Sequence, residues 1–156
     1  MKRLKYTQGD SNNIVPQFGK PFETYTDRLG VYVIIFNAFN EVLTVATERG
    51  PYLPGGGVDR EEGITEALRR EVFEETGYSL KEVRGFAKAN QFAIHPTAGP
   101  VNKLGVFYLG TIDQDIPQYS AETRNHTSFW MKVEDFLSCE TDEFHQYAVR
   151  RAVESQ

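Results

Sequence analysis

The stretch from Pro51-Tyr-Leu-Pro-Gly-Gly-Gly-Val58 into Gly63–Thr76 constrains this chain more than any other. Two prolines and three consecutive glycines exclude a regular helix or a comfortable central strand, because proline lacks a backbone donor and glycine is entropically costly to order. Gly63–Thr76 reads as a helix, with Gly77 at the C-cap position. At about 100° per residue, Ile64, Ala67, Leu68 and Val72 form one core stripe. Glu71 and Glu75 fall on that same side, and Glu74 borders it. Amphipathic helices ordinarily place carboxylates opposite the apolar stripe. Phe73 points roughly opposite Ile64 and requires cover of its own.

A carboxylate beside a core stripe must be paired, hydrogen-bonded or bound to a metal, because burying the charge alone is too costly. Glu71 and Glu75 are four residues apart, so their side chains start about 5–6 Å from each other. Two such carboxylates can share one cation or hold two neighbouring ones, and Glu74 joins from the side. Hard oxygen donors favour Mg²⁺ or Mn²⁺, and no Cys/His cluster suggests zinc. The competing reading is a set of solvated glutamates paired with Arg69, Arg70 or other basic groups.

The rest of the chain reads as one domain of 156 residues, with no repeat or linker. Val31–Asn37 is a buried strand, Asn37–Asn40 a turn and Glu41–Thr47 the returning strand of a hairpin. Gln17–Thr26 is expected to form a further strand. Tyr78–Ile94 reads as a bent or interrupted strand, His95–Asn102 as a loop, and Leu104–Thr111 and Thr127–Met131 as strands. Val133–Leu137 opens a helix and Phe144–Ser155 forms another. Mixed strands with two or three helices predict an α/β (α+β) sandwich with helices covering a sheet.

A hydrophobic content of 40% with 25% charged residues is the balance of a soluble globular chain. The formal net charge of −5 argues against a general nucleic-acid binder, although a bound divalent ion can supply the positive charge that a nucleotide needs. The single cysteine, Cys139, cannot form an intrachain disulfide. No apolar run is long enough to span a bilayer, and the first residues do not form a secretory signal. The expectation is a cytoplasmic protein without membrane contact.

Loop and helix together carry a longer pattern. Gly56 is followed by five residues and Glu62, and seven residues later comes Arg70-Glu71-Val72-Phe73-Glu74-Glu75-Thr76-Gly77-Tyr78. This resembles the Nudix box, G-x5-E-x7-R-E-U-x-E-E-x-G-U with U a bulky apolar residue. Every fixed residue is present, across 56–78, and Tyr78 is a variant of the last apolar position. The Leu53-Pro-Gly-Gly-Gly-Val58 lead-in is also typical. Asp59 and Glu61 depart from the family's usual Glu and Gly, outside the fixed pattern. The preceding hairpin, the later strands, Phe129-Trp130 before Val133-Glu-Asp-Phe136 and a terminal helix also look like the family's arrangement.

The resemblance implies a Nudix α/β/α sandwich with a mixed β-sheet, and a pyrophosphohydrolase dependent on Mg²⁺ or Mn²⁺. Its substrate would be a nucleoside diphosphate linked to another moiety. It implies Glu71, Glu74, Glu75 and the backbone carbonyl of Gly55 as metal ligands. Glu71 or Glu74 would serve catalysis directly, with Glu71 an alternative base towards the attacking water. Arg70 would orient a catalytic carboxylate, and Glu62 would support the site. Arg28, before the first core strand, is a candidate for a substrate phosphate, and Tyr52 for stacking on a base. A solvated arginine and a core tyrosine are the competing readings. Glu122, Gln91, His95 and His126 are weaker pocket candidates, and Cys139 is expected to be inert.

Two other readings compete. A non-catalytic nucleotide-binding or sensor domain would lose box glutamates, and none is lost. An isomerase on this fold would need a cysteine near the pocket, and Cys139 is poorly placed. The box does not choose among nucleoside triphosphates, dinucleoside polyphosphates, nucleotide sugars, ADP-ribose and capped RNA 5′ ends. The family often forms homodimers.

Overall fold

Five consecutive buried residues, Val31 to Ile35, dictate the layering. Alternate side chains along a strand leave opposite faces, so Val31, Val33 and Ile35 join one apolar cluster while Tyr32 and Ile34 join another. A strand buried on both sides needs cover on both. The computed structural model, which describes residues 14–113 and 127–156, supplies that cover with helices on either side.

The strands are β1 (Gln17–Phe18), β2 (Thr26–Ile34), β3 (Glu41–Thr47), β4 (Gly50–Tyr52), β5 (Gly55–Gly57), β6 (Leu80–His95), β7 (Gly99–Ile112) and β8 (Ser128–Lys132). The helices are α1 (Ile64–Thr76), α2 (Val133–Ser138) and α3 (Glu143–Glu154). One sheet runs β1-β6-β7-β2-β5 and a second β4-β3-β8. The first is mixed: β1–β6 and β2–β7 are parallel, whereas β6–β7 and β2–β5 are antiparallel. Helix α1 lays Ala67, Leu68 and Val72 on Val31, Val33 and Leu43. Burial of Leu68 or Val72 contributes roughly 1.5–3 kcal/mol each. On the other face, Phe136 of α2 and Phe144, Ala148 and Val149 of α3 cover Tyr32, Ile34 and Phe107. This is the expected α/β/α sandwich. Among the described residues no helix is long and apolar enough to cross a membrane.

Two matching triplets shape the α3 face. Gly30-Val31-Tyr32 of β2 lies in register with Gly105-Val106-Phe107 of β7. Each aromatic ring lies back over the glycine two residues earlier. A methyl group at Gly30 would stand 2.8 Å from the Tyr32 hydroxyl, and one at Gly105 would stand 2.8 Å from the Phe107 ring. The two rings stack with centroids 5.4 Å apart.

Several expectations change. The Gln17–Thr26 strand reduces to Gln17–Phe18, because Gly19 turns away at φ +83 against Phe92, and β2 starts early, at Thr26. The 31–47 hairpin survives only as a tight link: Leu43 N–H donates to Ile35 O at 3.0 Å and Phe36 bridges Val42, but β2 and β3 then diverge into different sheets. The Pro/Gly segment is neither helix nor central strand. It makes two edge strands, β4 and β5, where a missing donor is tolerated. The His95–Asn102 loop shrinks to a turn at Pro96–Ala98, because His95 Nδ1 accepts the N–H groups of Thr97 and Ala98 at 3.2 and 3.1 Å. Ile64 leaves the predicted core stripe: in the first turn of α1 it is 38% exposed. Phe73 is half-buried.

Candidate functional site

The site begins where β5 runs under α1. Gly55 pairs with Tyr32 and has φ +147, and a Cβ there would run into the Val31 carbonyl, so only glycine fits. Its N–H donates to Glu75 Oε1 at 2.8 Å. At Gly56 a Cβ would stand 2.8 Å from the Glu71 carboxylate carbon. The glycines therefore let the backbone lie directly against two carboxylates of α1. The helix stops there because Gly77 takes the left-handed conformation and donates to Phe73 O at 2.9 Å.

Arg70 organises the remaining acids. It grips Glu62 with two hydrogen bonds, Nε to Oε2 at 2.7 Å and Nη2 to Oε1 at 2.9 Å. Its Nη1 donates to Glu71 at 3.0 Å and to Glu74 at 3.3 Å. Hydrogen bonding to Arg70 lowers the Glu62 carboxyl, and the Glu62 hydrogen bond raises the Arg70 guanidinium. Glu71 behaves differently: burial raises its carboxyl despite the Arg70 hydrogen bond. Glu75 goes further, to about 8, through burial and the charges of Glu71 and Glu74, against the opposing Gly55 N–H.

The predicted residues Gly55, Glu62, Arg70, Glu71, Glu74 and Glu75 are thus brought together. Among the described residues no three acidic side chains meet as a metal cluster, and Arg70 bonds to Glu62, Glu71 and Glu74 at once. The donor chemistry nevertheless fits a divalent cation. Two half-buried carboxylates with raised pKa values, supplied by hard oxygen atoms, are relieved by added positive charge.

Arg28 and Tyr52 lie on the α3 side. Arg28 is exposed on β2, directly across from Lys103 of β7. The Tyr52 hydroxyl donates to Asp142 Oδ2 at 2.5 Å and accepts from Lys103 Nζ at 3.1 Å. Its ring packs at 4.5 Å from the His145 ring and 4.8 Å from Lys103 Nζ. Arg49 completes this network through Nε and Nη2 to Asp142 Oδ1 at 3.0 and 2.6 Å. Burial alone would raise the Asp142 carboxyl, but the Arg49 hydrogen bond and the Lys103 charge override it and hold it at about 2. Burial lowers the Lys103 ammonium. His145, fully buried with neither ring nitrogen hydrogen-bonded among the described residues, is held neutral with its pKa near 3 by burial and the Lys103 charge.

Sequence reasoning missed Lys103, Asp142, Arg49, His145 and Tyr32. Asp142 occupies the N-cap position of α3 but does not cap it. The Phe144 N–H instead donates to Gln91 Oε1 at 3.1 Å, which gives Gln91 a structural task. The paired Gly-Val-aromatic triplets were the one available signal for Tyr32. His95 serves its own turn. Cys139 donates to Phe136 O at 3.3 Å, and burial raises its thiol. Glu122 and His126 lie outside the described residues.

Comparison with known proteins places this geometry among relatives. The NUDIX domain family model matches residues 26–152. A MutT NUDIX hydrolase from Burkholderia pseudomallei is 24% identical, with a TM-score of 0.63 over 81% of this chain and 98% of that one. An Escherichia coli dihydroneopterin triphosphate pyrophosphohydrolase is 14% identical, with a TM-score of 0.59 over 86% of this chain and 100% of that one. A Bacillus subtilis (strain 168) protein named as a candidate 8-oxo-dGTP diphosphatase is 44% identical over 52 residues. That match spans 32% of this chain and 35% of the relative, about a third of its length.

Proposed function

The chain belongs to the Nudix family, and we propose that it is a divalent-metal-dependent pyrophosphohydrolase, cleaving a phosphoanhydride bond in a nucleoside diphosphate linked to another moiety. The observation that carries this reading is the contact of the glycine strand with the helix carboxylates: Gly56 against Glu71, and Gly55 N–H on Glu75. Glu71, Glu74 and Glu75 with the Gly55 carbonyl would hold Mg²⁺ or Mn²⁺. Such an ion supplies charge neutralisation to the diphosphate and draws electron density from phosphorus. Glu71, or Glu74 beside it, takes the proton from the attacking water. Arg70 keeps Glu71 and Glu74 in place through its grip on Glu62.

Arg28 is the residue we assign to a substrate phosphate, and Tyr52 to stacking on a substrate base. The relative named for 8-oxo-dGTP makes nucleoside triphosphates the first compounds to try. The test is a panel of triphosphates, dinucleoside polyphosphates, nucleotide sugars and ADP-ribose in Mg²⁺ or Mn²⁺. Cleavage is expected to require metal and to fall on the order of 10²- to 10⁴-fold in Glu71→Gln, the usual worth of a positioned base. Metal-independent cleavage, or full activity in both Glu71→Gln and Glu75→Gln, would refute the assignment.

A further inference from the structure

The Tyr32 hydroxyl makes no hydrogen bond among the described residues, although its side chain is only 7% exposed. Buried tyrosines normally satisfy their hydroxyl, because an unmade hydrogen bond costs the full desolvation of the group. The oxygen does not count among the unpartnered polar atoms wholly sealed from solvent. The ring cannot swing away to look for a partner. Phe107 stacks beside it at 5.4 Å, and Phe144 and His145 meet it edge-on at 5.6 and 4.8 Å. On the β5 side, Gly55 lies so close that a Cβ there would approach the Tyr32 ring to 2.9 Å.

The direction of the ring matters as much as its rigidity. It lies over Gly30, two residues back along the same face, and Arg28 is two residues further. At the other end Tyr32 pairs with Gly55, whose N–H holds Glu75. The hydroxyl lies on the α3 face with Arg28 and Lys103, and it feels the negative charges of Glu75, Asp142 and Glu71 and the positive charge of Arg28. A diphosphate that spanned Glu71–Glu75 and Arg28 would come within reach of it.

We propose that Tyr32 is a substrate-binding residue, its hydroxyl donating a hydrogen bond to a non-bridging phosphate oxygen on the stretch between the helix carboxylates and Arg28. The assignment rests on the nucleotide reading above but not on turnover. A fixed donor aimed at a phosphate oxygen recognises any nucleotide whatever its base.

The test is Tyr32→Phe, which keeps the ring and removes one oxygen. Binding of the α,β-methylene analogues of dGTP and dCTP in Mg²⁺ is measured by calorimetry, beside the melting temperature. The dissociation constants are expected to rise on the order of 10- to 100-fold, equally for both analogues, as for a hydrogen bond to a charged acceptor. The melting temperature should hold or rise slightly, since no internal hydrogen bond is lost. Affinities within about twofold of the unsubstituted protein would overturn the proposal. So would a loss confined to one analogue, which would mean a base contact, and so would no binding by the unsubstituted protein. A marked fall in melting temperature would make the hydroxyl structural and would also overturn it. Binding without cleavage of dGTP or any panel compound would refute the hydrolase reading alone, and the Tyr32 comparison would still decide this one.

Discussion

Replacing Asp142 by Asn should destabilise the protein in a way that carries its own pH signature. Asp142 is 3% exposed and accepts from Arg49 on one oxygen and from Tyr52 and Lys103 on the other. An Asn amide nitrogen would face donors on whichever side it occupied. The carboxyl sits at about 2 in the fold against its ordinary 3.8, a linkage contribution of about 2 kcal/mol. The Arg49 part is discounted, since that side chain is 43% exposed. The donor conflict adds about 1 kcal/mol. The total, about 3 kcal/mol, corresponds to a fall in melting temperature of roughly 6–12 °C for a chain of this length. Because the folded pKa is depressed, this stabilisation is fully present above the unfolded value of 3.8 and is lost as pH falls through 2. The gap between the two proteins, measured by urea unfolding, should be constant above pH ~5 and should shrink by about 1 kcal/mol by pH ~3. A variant as stable as the parent at neutral pH, or a gap that does not narrow in acid, would refute the reasoning.

Two further outcomes follow from other contacts. Gly56→Ala should push the Glu71 carboxylate out of place, since its Cβ would stand 2.8 Å from that group. Mg²⁺ affinity by calorimetry and kcat should fall on the order of 10-fold or more with little change in melting temperature, and unchanged Mg²⁺ binding would contradict the packing. His145, held neutral near 3, favours the fold fully above its ordinary 6.5 and costs stability progressively as pH falls from 6.5 towards 3, because the unfolded chain takes the proton first. His145→Leu should flatten the urea-derived pH dependence in that window by up to about 1.4 kcal/mol per unit, and an unaltered slope would assign the acid sensitivity elsewhere.

The chain's own order of residues determined the helix, its glycine stop, the carboxylates beside the core stripe and the run Val31–Ile35 that demands helices on both faces. Those features are local: a helix places residues three and four apart on one side, and a strand alternates, wherever the segment lies. The box residues Gly55, Glu62, Arg70, Glu71, Glu74 and Glu75 were legible for the same reason, all within one strand-loop-helix unit. Tertiary structure decided the rest. Whether β2 and β3 continue as a hairpin depends on which sheet each joins, and β3 takes β8 as partner rather than β2. Pro51 and Gly55–Gly57 become strands only because they fall at sheet edges. Asp142 looked like an ordinary helix cap until Arg49, Tyr52 and Lys103 converged on it from distant strands and turns. Tyr32 was one more buried strand residue until the parallel register set it beside Phe107 and over Gly30, with Gly55 against its ring. Such meetings are set by strand order and register, which depend on packing summed over the whole molecule and leave no period along the chain.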